Sequence, residues 1–456
     1  MLKLLRKKYN NLISDQKFSE ILTGSVYVLL ARVSTAVIGM ITIIIIARYY
    51  GAEITGILAM VDSFLFLTTI FTVMGINTSI LRLIPEHIVK FSPTSAFNVY
   101  RKSQCFVIVV SVICGGIFFS TSGLIADFFF SKPHLSKFFS WAAFFVVFFS
   151  IMTLNIQAVR GLKLIRTFAF IQLLPSISKL LILLFLTVFF FDPYNPIYAL
   201  LASYGIVALI SATIMQIEFK KRIAPNDIIS DMPLKDIISI SFPMVMTATM
   251  SFFTGQIGVF FLGIFRSETE VGYFSIAVKL ATLTTFVLNA INSMAAPKFS
   301  ELFHNGNMEE LFYMAKKSTK LIFWTTTPVL ISLIIFGKLI LKFLFGPEFI
   351  TAYSSMVFLV IGQFVNSLSG STSYFMNMTG NHKEFRNIVM GAAAINVGIS
   401  LILIPSFGII GAACAGMICI IFWNIGTLIF IKLKYCQSIG YIPLKLNLSR
   451  WVGKFL

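Results

Sequence analysis

Long apolar segments separated by short polar connections dominate this chain. A window of about 19 residues finds twelve segments with enough apolar residues to cross a bilayer core of about 30 Å as helices. The alternating pattern of about ten residues per strand that is typical of membrane barrels is absent. The pattern therefore predicts an all-α polytopic membrane protein with twelve transmembrane helices. The predicted segments are Ile21–Ala47, Ile54–Gly75, Ser103–Ala126, Phe139–Val159, Thr167–Phe191, Ile197–Ile217, Ile237–Ile264, Val271–Ala296, Leu321–Phe336, Ala352–Met378, Asn387–Ile404 and Gly408–Ile431.

Composition and charge agree with this prediction. Of the 456 residues, 57% are hydrophobic and 12% are charged, and 36 Lys and Arg oppose 18 Asp and Glu. Soluble domains carry about 25% charged residues. In the twelve-segment arrangement, 27 basic residues fall at odd-numbered boundaries and 6 at even-numbered ones. The positive-inside rule then predicts that both termini are cytoplasmic. No basic block interleaved with aromatic residues is present, so nucleic acid is not an expected partner.

The two halves of the chain resemble each other. The sequence INTSILRLIPE at Ile76–Glu86 matches INSMAAPKFSE at Ile291–Glu301, at an offset of 215 residues. Because each repeat has six spans, an even number, both copies begin on the same side of the membrane. This predicts parallel repeats with a substrate site between them. We therefore expect two pseudo-symmetric six-helix bundles, an N-terminal lobe at 1–220 and a C-terminal lobe at 221–456. The polar linker Glu218–Asp236 is the expected hinge.

The sequence lacks the motifs of several other function classes. No G-x-x-x-x-G-K-[ST] loop is present, so this chain has no phosphate-binding loop of its own for ATP hydrolysis. Energy would have to come from an ion gradient, from the substrate's own gradient or from a partner. The five cysteines form no CxxC pair and no His/Cys cluster. We therefore expect free thiols, no cofactor and no metal site.

Charged residues inside the predicted spans are the strongest functional signal. A cation at the bilayer centre costs at least about 2.5–3.5 kcal/mol, yet Arg32, Lys179 and Lys279 all lie within spans. Gln172 shares a helical face with Lys179 and is expected to bind substrate with the cations. Asp62 is the one carboxylate at mid-span, and is a candidate for ion coupling. A positively charged, water-accessible cavity would suit an anionic head group. The alternative is structural: a cation pairs with Asp62, or a lysine reaches the interface.

Span ten is also unusually polar. Its inner half reads GQFVNSLSGSTSYFMNMTG. Small and hydroxyl residues at this spacing are typical of close helix packing, which is the alternative interpretation. We interpret the segment as lining an inward-facing cleft, in which Gln363 and Asn366 could hydrogen-bond sugar hydroxyls.

Four glycine-punctuated motifs carry a resemblance that extends over essentially the whole chain. They are ARYYGAEITGILAM at Ala47–Met60, MGINTSILRLIPE at Met74–Glu86, LFGPEFITAY at Leu344–Tyr353 and IPSFGIIGAACAG at Ile404–Gly416. In this order and spacing they resemble the Wzx-type polysaccharide repeat-unit flippases of the multidrug/oligosaccharidyl-lipid/polysaccharide (MOP) exporter superfamily, which have a MATE-like fold.

The resemblance implies a transporter in a bacterial inner membrane. Such proteins move undecaprenyl-pyrophosphate-linked oligosaccharide, the repeat unit of O-antigen, lipopolysaccharide or a similar surface polysaccharide, by alternating access. The resemblance also implies that transport is coupled to H⁺ or Na⁺, and that a glycan polymerase and a chain-length regulator are partners. A MATE-type exporter of small cationic molecules is the main alternative, but it would favour carboxylates facing its substrate. A polytopic polymerase or ligase would need a larger outer loop with catalytic residues, so we expect no enzymatic activity.

Overall fold

A computed structural model describes residues 16–224 and 231–441 of the chain. All the regular elements of these residues are helices. Fourteen are α-helices, numbered here in chain order: α1 Gln16–Val73, α2 Ile76–Lys90, α3 Pro93–Leu124, α4 Ser136–Gly161, α5 Ile165–Phe189, α6 Asn195–Lys220, α7 Leu234–Gly255, α8 Ile257–Phe265, α9 Glu268–Ala281, α10 Thr284–His304, α11 Met308–Leu344, α12 Tyr353–Ser369, α13 Thr372–Met378 and α14 His382–Tyr435.

Several of these helices match the length and polarity of a lipid bilayer. Within the described residues, nine are long and apolar enough to cross a membrane, and the bent pair α9 and α10 would make ten. The prediction of an all-helical, multi-pass membrane protein is confirmed.

Two of the helices are too long to be single spans. At 1.5 Å per residue, the 58 residues of α1 would extend about 87 Å, against a bilayer core of about 30 Å. The helical conformation of α1 is interrupted at Gly51, with φ 78° and ψ −178°, and that of α14 at Gly408, with φ 54° and ψ −129°. Only glycine adopts such angles readily, because it has no Cβ. Each long helix therefore consists of two helical segments joined at one glycine.

Helix α2 lies within the segment that the sequence predicts as a connection between spans two and three. It buries Ile76, Ile80, Leu83 and Ile84, which recur every three to four residues. Ser92 then caps the next helix, because its Oγ accepts a hydrogen bond from the Ser95 amide at 3.2 Å. This capping, with proline at the first helical position, explains the break before α3.

The chain forms two compact units. Unit 1 comprises Met1–Gly272 and Leu344–Gly346, and unit 2 comprises Tyr273–Phe343 and Pro347–Leu456. In unit 2, the fully buried Phe375 packs against the rings of Phe299 and Phe312. The division into two lobes at residue 220 stays a prediction. It was drawn from the sequence repeat, whereas the compact units are defined by contacts within the structure. Residues 225–230 of the predicted hinge and the basic N-terminal tail lie outside the described residues.

Unit 1 is also held by buried polar contacts. The Tyr100 hydroxyl of α3 donates to Asn155 Oδ1 of α4 at 2.8 Å, and Asn155 Nδ2 donates to Ser211 Oγ of α6 at 3.1 Å. All three side chains are buried. A satisfied polar chain of this kind fixes the mutual orientation of three helices, because breaking it would leave buried polar atoms without partners.

Candidate functional site

The carboxylate of Asp62 lies in the second helical segment of α1 and is bound by a tyrosine of α6. The Tyr204 hydroxyl donates to Asp62 Oδ1 at 2.6 Å. Both side chains are half-buried. Within the described residues Tyr204 is the hydrogen-bond partner of Asp62, and neither Arg32 nor Lys179 forms an ion pair with it within 4.0 Å. The alternative interpretation, in which a cation pairs with Asp62, is therefore not seen as a direct contact of Arg32 or Lys179 in this part of the chain.

Lys179 occupies the middle of α5 and is half-buried. The charge that acts on its ammonium group is the Asp62 carboxylate. The two opposite charges therefore lie within electrostatic range of each other without forming an ion pair within 4.0 Å. Such a separation allows a third charged group, such as a phosphate, to contact the ammonium directly.

Gln172 lies two turns before Lys179 on the same face of α5, because seven residues make almost two full turns of helix. Its Oε1 atom is buried and has no hydrogen-bond partner within the described structure. An unpaired buried polar atom costs about 1–3 kcal/mol, so the position favours a bound water or ligand group.

Two contacts fix the position of Arg32 relative to these side chains. The Arg166 guanidinium of α5 lies over the Tyr27 ring at 5.3 Å, and Tyr50 Oη lies 2.6 Å from Thr187 Oγ1. The first segment of α1 and α5 therefore run side by side in the same direction. Arg32 lies five residues beyond Tyr27 on α1, and Gln172 lies six residues beyond Arg166 on α5. Because the two helices run in the same direction, Arg32 and Gln172 lie at the same depth. Arg32 is half-buried and makes no hydrogen bond or ion pair with another described residue.

The same contacts show that α1 reverses its direction at Gly51. Tyr50 lies beside Thr187, whereas Asp62 lies within electrostatic range of Lys179, which is two turns earlier on α5. The second segment of α1 thus returns along the first. Unit 1 in this way brings Arg32, Gln172, Lys179, Asp62 and Tyr204 onto three neighbouring helices.

The other candidate residues belong to unit 2. Gln363 and Asn366 of α12 are buried, and Asn366 Nδ2 donates to Gln363 Oε1 at 3.1 Å. Part of their hydrogen-bonding capacity is therefore already used. Lys279, near the end of α9, is exposed. Its environment differs from that of Lys179, which was predicted to have the same role.

Tyr204 is the site residue that sequence reasoning missed. It lies in the segment LASYGIVALIS, where nothing distinguishes it from an ordinary span residue. Its partner is 142 residues away, so only the packing of α6 against α1 reveals the contact.

A separate groove lies between α3 and α4. It has a volume of about 520 Å³, its lining is almost wholly apolar, and it includes Gly115, Gly116, Phe119 and Phe144. It contains none of the candidate site residues.

Comparison with known proteins identifies the class of protein. The chain belongs to the family of polysaccharide biosynthesis proteins, which matches residues 21–303. This match confirms the polysaccharide family that the sequence motifs resemble.

Two curated relatives are distant. An uncharacterized membrane protein of Methanocaldococcus jannaschii is 21% identical over 78% of this chain and 73% of its own length. A probable low-salt glycan biosynthesis flippase of Haloferax volcanii is 25% identical over 38% of this chain, and the match spans 36% of that protein.

Solved structures share the fold. A lipid II flippase, MurJ, in an inward closed conformation superimposes with a TM-score of 0.71 at 16% identity, covering 89% of this chain and 87% of that one. An inward-facing multidrug transporter of the MATE family and MOP superfamily gives 0.69 at 15% identity, covering 89% and 98%. These similarities establish that the chain shares the fold of these two proteins.

Proposed function

We propose that this protein is a flippase that carries lipid-linked oligosaccharides across a membrane. The observation that carries the proposal is the position of Arg32 and Gln172 at one depth, with Lys179 on the same face of α5 as Gln172. Two cations and an unpaired amide oxygen inside the membrane spans of a polysaccharide biosynthesis protein need a polar, anionic partner. A diphosphate-linked sugar supplies both the anion and the hydrogen-bonding groups.

Each residue has a distinct chemical role in this proposal. The Arg32 guanidinium can bind two phosphate oxygens at once, whereas the Lys179 ammonium acts as a compact point charge. Gln172 accepts a hydrogen bond from a sugar hydroxyl through Oε1. Gln363, Asn366 and Lys279 are proposed as further substrate-binding residues. The polyprenyl tail stays in the lipid, so only the polar head requires a hydrated path.

The finer features of the proposal follow the resemblance drawn from the sequence. The substrate is an undecaprenyl-pyrophosphate-linked repeat unit, such as that of O-antigen, and the location is a bacterial inner membrane with both termini cytoplasmic. A glycan polymerase and a chain-length regulator would act on the delivered unit. We propose transport by alternating access, without enzymatic chemistry.

We also propose twelve spans in two six-helix bundles. Division of α1 at Gly51 and of α14 at Gly408 supports this number, when the bent pair α9 and α10 is counted as one span. Gly411 supports a sharp reversal in α14, because a Cβ on it would lie 2.3 Å from the carbonyl oxygen of Leu403.

Asp62 is the proposed site of ion coupling. A carboxylate that holds a single hydrogen bond from Tyr204 retains an oxygen for a proton or Na⁺. Neutralising Asp62 would remove the charge that acts on Lys179, so ion uptake and diphosphate affinity would be linked. A gradient-driven assay of Asp62→Asn with H⁺ or Na⁺ tests this step. Transport that remains gradient-dependent in the variant would exclude it.

The transport proposal is tested in proteoliposomes with a fluorescent polyprenyl-diphosphate oligosaccharide and an impermeant quencher. A hydrogen bond to a charged group contributes about 1.5–3 kcal/mol, so Arg32→Ala and Lys179→Ala should each lower the flipping rate about ten- to hundredfold. Arg32→Lys should retain more activity than Arg32→Ala. The control is Arg101→Ala, at an exposed position on α3. Full rates from both alanine variants would exclude a role for these charges.

A small-molecule exporter is the second candidate, favoured by the high coverage of the MATE-family structure. It would transport a cationic dye in the same vesicles, and this transport would depend on Asp62 and not on Arg32. The lipid-linked substrate would then remain in its original leaflet.

A further inference from the structure

The second segment of α1, residues 52–73, is bounded by left-handed backbone at both ends. We call this segment span two. Gly51 precedes it with φ 78°, and Met74 and Gly75 follow it with φ 46° and 75°. Such angles interrupt the helical hydrogen-bond pattern, so each end is a defined point at which a rigid rod can change direction.

At the Gly51 end, span two lies in direct backbone contact with α9. A Cβ on Gly56 would lie 1.8 Å from the carbonyl oxygen of Glu268, and a Cβ on Gly272 would lie 2.0 Å from the carbonyl oxygen of Ala52. Gly56 therefore faces the backbone of α9, and Gly272 faces the backbone of span two. Any side chain at either position would separate the backbones, because real contacts to Cβ are far longer.

A largely buried lysine stabilises the same end. Lys132, in the turn before α4, donates through Nζ to the carbonyl oxygens of Gly263 at 3.1 Å and Arg266 at 2.6 Å. Its Nζ also lies 3.6 Å from Glu268 Oε1, and both side chains are nearly buried. Lys132 thus fixes the turn between α8 and α9, which presents the Glu268 carbonyl to Gly56.

At the Gly75 end, the contact is with α7. A Cβ on Gly75 would lie 2.4 Å from the carbonyl oxygen of Ser241 and 2.9 Å from the amide nitrogen of Val245. One turn further on, Ser79 Oγ lies 2.5 Å from Ser241 Oγ, and both side chains are fully buried.

We propose that these two glycine contacts are the alternating seals of the transport path, and that span two tilts about Gly51 and Gly75 to open one seal at a time. The Gly56–Gly272 contact is the outer seal and the Gly75–Ser241 contact is the inner seal, according to the predicted topology. Both seals are closed in this structure. Asp62, on span two between them, connects the tilt to Tyr204 and Lys179. The inference rests on the proposed transport function, but its test does not use transport.

The test uses a reporter cysteine midway between the seals, in a variant without the five native cysteines. Phe66 is suitable, because it lies ten residues after Gly56 and nine before Gly75, and its ring stacks on Phe252 of α7 with centroids 6.1 Å apart. Labelling of Phe66→Cys by an impermeant maleimide is measured without substrate. Right-side-out and inside-out vesicles distinguish the two directions of access.

We expect Gly56→Ala and Gly272→Ala to raise labelling from the outer side, and Gly75→Ala and Ser79→Leu to raise it from the inner side. A shift of one or two kcal/mol in the closed state corresponds to a rise of about 5–30-fold. The control is Gly116→Ala, which has a helical backbone and no neighbouring atom within 4 Å of its Cβ.

Three results would overturn the inference. They are labelling of the Gly56 and Gly272 variants at the control rate, a rise from the same side for both sets of variants, and a rise from both sides in either set. If the glycine variants fail to insert, Lys132→Met carries the same expectation for the outer side without crowding the backbone. If the labelling of Phe66→Cys follows the expected pattern but the protein does not flip the lipid-linked oligosaccharide, only the transport proposal is contradicted.

Discussion

The energy of the hydrogen bond between Tyr204 and Asp62 can be measured directly. Tyr204→Phe removes the hydroxyl that donates to Asp62 Oδ1 at 2.6 Å. The substitution keeps the aromatic ring that packs against Phe149, with centroids 4.7 Å apart. The loss therefore reports on the hydrogen bond and not on packing.

The size of the loss follows from the chemistry of the two partners. A hydrogen bond to a charged group contributes about 1.5–3 kcal/mol. Hydrogen bonds inside a membrane protein average about 0.6 kcal/mol. Because a carboxylate oxygen accepts this hydrogen bond at 2.6 Å, we expect an interaction energy of about 2 kcal/mol between Asp62 and Tyr204.

A double-mutant cycle isolates this energy. Tyr204→Phe, Asp62→Leu and the double variant are unfolded by denaturant, and the interaction energy is the departure of the double variant from additivity. The control is Tyr49→Phe, because Tyr49 is 76% exposed. Additivity within about 0.5 kcal/mol would refute the proposed contact. A value near 0.6 kcal/mol would match the average hydrogen bond inside a membrane protein and would contradict the larger value expected here.

Three other predictions concern stability. Burial lowers the pKa of Lys132 despite the raising effect of Glu268, so the folded protein should become more stable as pH rises from that lowered value towards 10.5. Lys132→Met should abolish this alkaline slope in thermal unfolding, and a slope that persists would exclude the assignment. Phe299→Ala should destabilise unit 2 by about 3–5 kcal/mol in denaturant unfolding, whereas the exposed Phe343→Ala should have little effect. Gly408→Ala should cost about 1–3 kcal/mol because of its positive φ, whereas Gly398→Ala, within a helix and unobstructed, should stabilise by about 0.5–1 kcal/mol in the same measurement.

The sequence predicts the helices well where one physical force dominates. Apolar length alone locates the spans, since a bilayer admits few other solutions. The same pattern indicated boundaries close to Gly51 and Gly408, where the structure reverses with almost no intervening loop. Helix α2 shows the periodicity of an amphipathic helix in Ile76, Ile80 and Leu83, but it was included in a connection because it is too polar to span the bilayer.

The arrangement of the site is less accessible from the sequence. Arg32, Lys179 and Asp62 were identified because charge inside a span is costly. Their relative depth depends on contacts such as Tyr50 with Thr187, which hydropathy does not encode. The role of Tyr204 likewise depends on helix packing, since a hydroxyl within an apolar segment has no fixed partner.

The single-residue turn at Gly51 has a consequence for biogenesis. With no loop to separate its two segments, the region at 27–73 would enter the bilayer from the translocon as one helical hairpin. Asp62 would then be inserted together with the apolar residues of both arms, which reduces the penalty that a lone carboxylate-bearing helix would meet. The compact turn also leaves no flexible loop between the two segments for a protease or an antibody to reach.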